Sequence, residues 1–483
     1  MNKKVLYLII ACILGAITLY FAPLTGLKLP GQILLATLVF IVCVWATEAV
    51  PYPVSAIILI MLMMLANAAT GTSLSKGLGA ALSGFASATP LACVAATAFA
   101  VIVQRTGLSE RVVYSILNLI SGSKGVVKAK LLLASFFVVE IPLSFMVPSN
   151  TGRTAIYLSI AEGLQQPFKF KEQDETGRIE DGNPFQKAVY LLAGIMPAMM
   201  GGAFLTGAEA TMLAGRMISE TTGQEQFWAL TLQYLFLPAV ILIIALFFIL
   251  LRMYPSNIDN VPVHFVKERL HALGPMKWSE KYVVLTLAAA ILTWFTDSIH
   301  HLPAESVLFL VMIALFIPGI APGNWKKDSK SIAWGSFLVI AVSLSFTTAL
   351  SKHGVMKLIA STIAMLGITN YLTLLTVVIL VLIVARIAIA SHTGATVLFV
   401  PLAMELAKQS GLDTGHIVAI GWTTYVFCRA AYLLPQQSAQ VIMSYDYGFF
   451  TRLDMMKTGV RLLVAAFIIY MIWGGFILPL LAQ

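Results

Sequence analysis

The sequence carries one polar phrase twice, each time inside an otherwise apolar stretch. The first copy is Ser149-Asn150-Thr151-Gly152-Arg153-Thr154, and the second, Ser391-His392-Thr393-Gly394-Ala395-Thr396, starts 391 − 149 = 242 residues later. A short sequence with helical character follows each copy. Hydroxyl and amide side chains beside the free N–H groups of a helix start can bind an anion, and the two glycines let the backbone approach a ligand closely. The phrases therefore predict two anion-binding helix ends.

A basic side chain stands at each phrase, Arg153 in the first and His392 in the second. A cation in the first turn of a helix is unfavourable by about 0.3–1 kcal/mol, so Arg153 indicates an anion close by. Glu209, in a polar stretch further along the chain, is one candidate for that anion. The other interpretation is that Arg153 and His392 are fixed counter-charges for a bound anion.

The composition places both phrases in a membrane. Hydrophobic residues make up 59% of the 483 residues and charged residues only 11%, and apolar runs long enough to cross ~30 Å of hydrocarbon recur throughout. The net charge is +9, but the basic residues lie in loops between apolar runs, as is typical of the cytoplasmic side and not of a nucleic-acid-binding patch. We predict a multi-pass protein of the cytoplasmic (inner) membrane with a cytoplasmic N-terminus and no nucleic-acid partner.

Each phrase lies at the tip of a predicted re-entrant hairpin, 131–164 in the first half and 371–408 in the second. A helix with a polar interruption follows each hairpin, at 188–220 and at 416–445. Polar breaks at membrane depth are tolerated only where they line a cavity or are buried in protein. Two matching breaks point to the substrate site of a transporter, whereas kinks used for helix packing are the alternative interpretation.

The predicted fold is an all-α polytopic membrane protein with about eleven transmembrane helices and two re-entrant hairpins in inverted repeats. The first hairpin enters from the cytoplasm and the second from outside, an arrangement that supports alternating access. Two polar cytoplasmic loops are predicted, from Gln165 to Lys187 and over 252–281.

The sequence offers no catalytic or metal-binding pattern. The four cysteines lie in apolar segments without metal-ligand spacing. Neither a His-Glu-x-x-His nor a Gly-x-Ser-x-Gly motif occurs, and there is no phosphate-binding loop. We therefore expect no enzyme activity, no cofactor and no metal. A channel would need symmetric rings of polar groups, which two asymmetric hairpins do not offer.

The hairpin tips resemble those of the divalent anion:sodium symporter family, which carries Ser-Asn-Thr at both tips. Here the first tip reads Ser149-Asn150-Thr151 and the second reads Ser391-His392-Thr393. The resemblance covers essentially the whole chain through the order of spans and hairpins. It implies transport of dicarboxylates, citrate or sulfate by a homodimer in the lipid bilayer, with a scaffold domain and an elevator transport domain in each protomer.

The resemblance also divides the chain and supplies a set of site residues. The expected parts are N-terminal scaffold helices (1–120), a first transport half (121–226), scaffold and connecting helices (227–350), a second transport half (351–445) and a C-terminal helix (446–483). The expected substrate-binding residues are Ser149, Asn150, Thr151, Gly152, Thr206, Ser391, His392, Thr393, Gly394 and Ser438.

The loops that accompany the hairpins depart from the family pattern. The stretches 201–209 and 434–440 lack the family's Pro-Asn pieces, which counts against its two sodium sites. In the symporters sodium supplies positive charge, and here Arg153 and His392 appear where such ions would lie. A fixed arginine cannot leave with the substrate, so the empty carrier would have to cross the bilayer with an unpaired charge.

We therefore expect the sodium-independent branch of the family, which exchanges C4 and C5 dicarboxylates such as succinate, malate, fumarate and 2-oxoglutarate. The alternative is a sodium-coupled dicarboxylate or sulfate symporter. Two further arginines, Arg386 and Arg429, either line the anion path or pair with Glu405 or Asp446, and the sequence leaves both interpretations open.

Overall fold

The computed structural model describes residues 3–47, 49–121, 126–164, 184–256, 260–364, 370–389 and 391–483. Most of the loop predicted from Gln165 to Lys187 lies outside the described residues. Three residues of the loop predicted over 252–281, namely 257–259, also lie outside them.

The described chain is helical almost throughout. The helices of the first half are α1 (Lys3–Phe21), α2 (Leu29–Thr47), α3 (Tyr52–Ala68), α4 (Leu74–Ala81), α5 (Ala88–Thr106), α6 (Leu108–Ser121), α7 (Ala129–Met146), α8 (Asn150–Gly163), α9 (Pro184–Gly201), α10 (Glu209–Thr222) and α11 (Trp228–Met253). Those of the second half are α12 (His264–Ala272), α13 (Trp278–Phe295), α14 (Ala304–Leu315), α15 (Trp334–Lys352), α16 (Val355–Ala364), α17 (Tyr371–Ala388), α18 (His392–Gln409), α19 (Thr414–Cys428), α20 (Ala439–Tyr445) and α21 (Arg452–Ile472). Two strands, β1 (Val126–Lys128) and β2 (Asn260–Pro262), pair antiparallel as a short ribbon.

Both predicted hairpins are present, and their helices start at equivalent positions of the two halves. The first consists of α7 and α8, the second of α17 and α18. Helix α17 starts 371 − 129 = 242 residues after α7, and α18 starts 392 − 150 = 242 residues after α8. Both predicted broken helices are present too, since α9 and α10 are separated by residues 202–208, and α19 and α20 by residues 429–438.

The turn at each hairpin tip follows from its serine. Ser149 has extended backbone angles, and its hydroxyl accepts a 3.2 Å hydrogen bond from the Gly152 amide, which makes it the N-cap of α8. Ser391 caps α18 in the same way, with 3.0 Å to the Gly394 amide. A serine N-cap satisfies one of the free N–H groups of the first turn. The remaining amides of both helix starts stay available for a ligand.

The prediction of an all-α membrane protein is confirmed. Seven helices among the described residues are long and apolar enough to cross a membrane, and shorter apolar helices such as Ala304–Leu315 add to them. With the two broken helices counted as crossings, the order agrees roughly with the predicted eleven. A large apolar core includes both hairpins and both broken helices, and a second core joins α1–α4 to α15.

Two short helices, α4 and α16, were not predicted from the sequence. The C-terminal helix, expected within 446–483, starts at Arg452. Its start is a capping box, in which Thr451 Oγ1 accepts from the Asp454 amide and Asp454 Oδ2 accepts from the Thr451 amide.

This capping box gives a prediction for stability. Replacing Thr451 with Ala removes the hydroxyl that accepts from the Asp454 amide, and we expect a loss of about 1 kcal/mol in the free energy of unfolding. Thr451→Ser keeps the hydroxyl and serves as the control. Thermal unfolding of the purified protein in detergent measures both, and equal midpoints for the Ala and Ser variants would contradict the assignment.

Candidate functional site

A cavity of about 550 Å³ lies between the two hairpin tips. Both tips and both interruptions of the broken helices contribute to its wall, and α3, α5 and the segment leading into α15 close it. Its polar lining residues are Tyr52, Thr97, Gln104, Ser149, Asn150, Thr151, Glu209, Ser331, Ser336, Ser391, His392, Thr393, Arg429, Ser438 and Gln440. Two helix N-termini and a guanidinium therefore face one cavity, an arrangement that suits the binding of an anion.

Asn150, at the start of α8, is held by two arginines. Its Oδ1 accepts from Arg153 Nη2 at 2.9 Å and from Arg429 Nη2 at 3.3 Å. Because both neighbours are donors, the oxygen of the amide must face them, and the NH₂ group remains as the donor for a ligand. The Asn150 side chain thus supplies a fixed hydrogen-bond donor to the cavity wall.

Arg429 ends α19 and supplies the positive charge on the cavity wall. Its side chain is 3% exposed, and its Nε and Nη2 donate to the Ala198 carbonyl at 3.0 and 2.6 Å. Within the described residues, no carboxylate lies within ion-pair distance of it. Neither Glu405 nor Asp446 is its partner. Arg429 is therefore a buried cation whose charge is left for a ligand.

Arg153 lies behind the first tip, and its side chain does not line the cavity. It is fully buried, as is Glu140 on α7, and the two form an ion pair of 3.0 Å between Nε and Oε1. Glu140 also accepts from the Tyr157 hydroxyl at 2.6 Å and the Ser144 hydroxyl at 3.1 Å. The carboxylate partner of Arg153 is thus Glu140 and not Glu209. Its charge is compensated inside the protein.

The other donors of Arg153 hold the tip to the interruption between α9 and α10. Nη1 donates to the carbonyls of Val147 and Gly207, at 2.6 and 3.3 Å, and Nη2 donates to the Pro197 carbonyl at 2.7 Å. The Val147 carbonyl also accepts from the Ser149 amide at 2.7 Å, and Pro197 lies near the end of α9. The guanidinium therefore donates to three buried carbonyls around the tip, where an unpaired carbonyl would be costly.

Arg386 donates to backbone carbonyls at the second tip, as Arg153 does at the first. It donates from Nη1 to the Ile389 carbonyl and, at 3.3 Å, to the Ser391 carbonyl, and from Nη2 to the Gln437 carbonyl at 3.0 Å. Ile389 lies 242 residues after Val147, so equivalent carbonyls of the two repeats receive an arginine. The arginine comes from the helix after the tip in one repeat and from the helix before it in the other. Arg386 also has no carboxylate within ion-pair distance among the described residues.

Two adjacent glycines make room for the arginines. A Cβ on Gly201 would lie 2.1 Å from Arg153 Nη2, and a Cβ on Gly202 would lie 2.8 Å from Arg429 Nε. A side chain at either position would displace the guanidinium from its present contacts. The two glycines at the end of α9 therefore leave the space that both guanidinium groups occupy.

His392 lines the cavity, and the contacts of its ring are those of a neutral imidazole. Its Nε2 lies 3.1 Å from the Gln440 amide nitrogen, which can only donate, and its Nδ1 lies 3.4 Å from the Cys428 carbonyl, which can only accept. One ring nitrogen must then accept and the other donate, which is the arrangement of an uncharged imidazole. The expectation that His392 carries a fixed positive charge does not fit these contacts.

Eight of the ten expected substrate-binding residues line the cavity. Seven of them lie at the two hairpin tips, and the eighth, Ser438, lies in the interruption between α19 and α20. The two exceptions are Thr206, whose hydroxyl accepts from the Trp228 indole at 3.1 Å, and Gly394, which packs against Trp45 of α2. Among the lining residues that the sequence did not single out, Tyr52, Gln104 and Ser336 lack any local signal. They reach the cavity only because α3, α5 and α15 approach the tips in space. No group of three metal-ligand side chains occurs among the described residues.

Comparisons with known proteins agree with this architecture. A family profile described as the sodium:sulfate symporter transmembrane region matches residues 2–482. A membrane protein of Cupriavidus necator is 27% identical over 473 residues, 93% of this chain and 88% of that protein. A Staphylococcus aureus protein named sodium-dependent dicarboxylate transporter SdcS is 23% identical over 500 residues, 98% of this chain and 91% of that protein. The Alcanivorax borkumensis YdaH transporter crystal structure has a TM-score of 0.56 at 14% identity, covering 90% of this chain and all of that one, and so shares the fold.

The buried ion pair predicts a large effect on stability. Arg153→Gln leaves Glu140 without its ion-pair partner in the core and removes the hydrogen bonds from the guanidinium to the tip carbonyls, so we expect a loss of about 3–5 kcal/mol in the free energy of unfolding. The control is Arg216→Gln, which breaks the exposed pair with Glu220 and should change it by less than about 0.5 kcal/mol. Thermal unfolding in detergent compares the two, and similar midpoints would refute a structural role for Arg153.

Proposed function

The chain belongs to the family of the sodium:sulfate symporter transmembrane region and is a membrane transporter of its dicarboxylate or sulfate type, and we propose that it exchanges one C4 or C5 dicarboxylate for another without sodium. The observation that carries the proposal is the pair of guanidinium groups at the hairpin tips. Backbone carbonyls converge on Arg153 at one tip and on Arg386 at the other. Such clusters of carbonyl oxygens are what a sodium ion needs from a protein, and here a covalently attached cation fills each one.

The cavity suits an anion with two charged ends. Two capped helix starts, at Ser149 and Ser391, each offer partial positive charge and free amides. Arg429 adds a full charge between them, and the Asn150 amide adds a donor. A dicarboxylate such as succinate, malate, fumarate or 2-oxoglutarate can place one carboxylate at each helix start. Sulfate, with its charge in one place, would use only one of the two.

Obligate exchange follows because the guanidinium charges are part of the protein and cannot leave with the substrate. Arg386 and Arg429 have no carboxylate partner in the described structure, so the substrate supplies the negative charge that compensates them. An empty carrier would have to move these charges through the membrane unpaired, which costs several kcal/mol, whereas the loaded carrier moves them paired. The loaded form therefore returns and the empty form does not, which makes transport an obligate antiport.

The movement we propose is an elevator. One wall of the cavity comes from the hairpins and broken helices, the two transport halves (121–226 and 351–445), while Tyr52, Gln104 and Ser336 come from the scaffold parts (1–120 and 227–350). A site at the border of two parts can pass from one membrane face to the other when one part slides along the other. We further propose a homodimer in the cytoplasmic membrane, with inverted repeats and a cytoplasmic N-terminus.

Sodium-coupled symport is the second candidate. The observation in its favour is the name of the Staphylococcus aureus relative, a sodium-dependent dicarboxylate transporter. It would require a cation site that neither Arg153 nor Arg386 occupies.

Counterflow in proteoliposomes distinguishes the two candidates. We expect labelled succinate to enter vesicles that are preloaded with unlabelled dicarboxylate, equally well with sodium and with potassium as the only monovalent cation. Vesicles without internal dicarboxylate should take up less than a tenth as much. Uptake into empty vesicles that is driven by an inward sodium gradient would refute the exchange proposal and support symport.

Arg429 gives a prediction for substrate binding. Arg429→Gln removes the cavity's uncompensated charge, and the loss of a buried charged hydrogen-bond partner costs about 2–5 kcal/mol, so the KM for dicarboxylate should rise at least about thirtyfold. Arg461→Gln is the control, since Arg461 is exposed and bonds only to a carbonyl of its own helix. An unchanged KM in a folded Arg429→Gln variant would show that Arg429 does not contact the substrate.

A further inference from the structure

Glu209 is a carboxylate in the wall of a cavity built for an anion. It starts α10 and lines the main cavity, and it also lines a neighbouring cavity of about 270 Å³ that shares Tyr52, Ser336, Ser391 and Thr393 with the first. The Ser336 hydroxyl is its hydrogen-bonding neighbour. Among the described residues, no Lys, Arg or His lies within ion-pair distance of Glu209.

This carboxylate is unfavourable for a plain dicarboxylate. A substrate that offers only carboxylates and methylene groups brings like charge next to Glu209 and gives it no donor. A place at a helix start favours a negative side chain, but it does not require that the side chain face the cavity. The arrangement becomes favourable when the substrate itself carries a donor that Glu209 can accept.

We propose that Glu209 accepts a hydrogen bond from a donor group on the substrate's carbon chain, a hydroxyl or an ammonium, and so selects 2-substituted dicarboxylates over unsubstituted ones. The inference rests on the proposed function and names the substrate class of the same site. The two carboxylates lie at the helix starts and near Arg429, and the substituent on the carbon chain points to Glu209. Each charged or polar group of the cavity wall named here then has a partner on the substrate.

The selectivity follows from the loss of a charge-assisted hydrogen bond. A polar group built into a site is left unpaired when the matching substrate group is missing. We expect the wild-type protein to bind a donor-bearing substrate about tenfold or more tightly than an unsubstituted one of the same length. An ammonium group gains more than a hydroxyl because it also neutralises the carboxylate.

The test measures equilibrium binding, because binding does not depend on whether the carrier exchanges or symports. The purified full-length protein in detergent is titrated calorimetrically with succinate, L-malate and L-aspartate, which share four carbons and differ only at carbon 2. Wild-type protein should bind malate or aspartate at least about tenfold more tightly than succinate. In Glu209→Gln, which keeps the size of the side chain, the ratio should fall to about one. The arm that shows the fall identifies the substituent as hydroxyl or ammonium.

The control is Glu305→Gln, which changes a carboxylate that accepts from Thr89 outside the cavity and should leave the ratios as in wild type. Tighter binding of succinate than of malate and aspartate by the wild type overturns the inference without any variant. Equal ratios in wild type and a folded Glu209→Gln also overturn it. Both results leave dicarboxylate exchange standing, whereas absence of binding by all three compounds refutes the proposed function together with the inference.

Discussion

The structure depends on one constraint: the chain is interrupted at two hairpin tips and within two broken helices, and the buried carbonyls around these interruptions need donors. At the first tip and its companion interruption the donors come from Arg153, and at the second tip they come from Arg386. Each guanidinium replaces several backbone partners at once, because its planar fork directs its donors in fixed directions. The breaks in turn create the two helix starts that face the cavity. The arginines therefore hold in place the parts of the chain that form the cavity.

The two repeats differ in how the charge of the arginine at the hairpin tip is balanced. In the first repeat a carboxylate on the opposite arm of the hairpin, Glu140, neutralises the guanidinium. In the second repeat the position 242 residues after Glu140 is Leu382, which carries no charge, and among the described residues the guanidinium of Arg386 donates to carbonyls alone. The pseudo-symmetric backbone is therefore kept, while the charge is not symmetric. The second tip keeps an uncompensated cation, and together with Arg429 it makes the cavity surroundings positive.

The sequence was sufficient for the architecture because its signals are local. The serine caps, the glycines and the apolar runs on either side predicted both hairpins and both broken helices within a few residues. The direction of side chains at the site was not predictable in the same way. Arg153 is in the first turn of α8, beside residues that line the cavity, yet it turns back to Glu140, thirteen positions earlier in the chain. Arg429 reaches the first tip from the other repeat, and a contact between residues 279 positions apart leaves no trace in local pattern.

The contact of Arg429 with Asn150 and Ala198 joins the two repeats at the site itself. One arginine of the second half is anchored on the tip and the broken helix of the first, so hydrogen bonds hold the two halves together beside the cavity. These hydrogen bonds limit how far the cavity can widen. A diacid that is too short reaches only one of the two helix starts. One that is too long must bend, because the cavity cannot widen without breaking the bonds between the repeats.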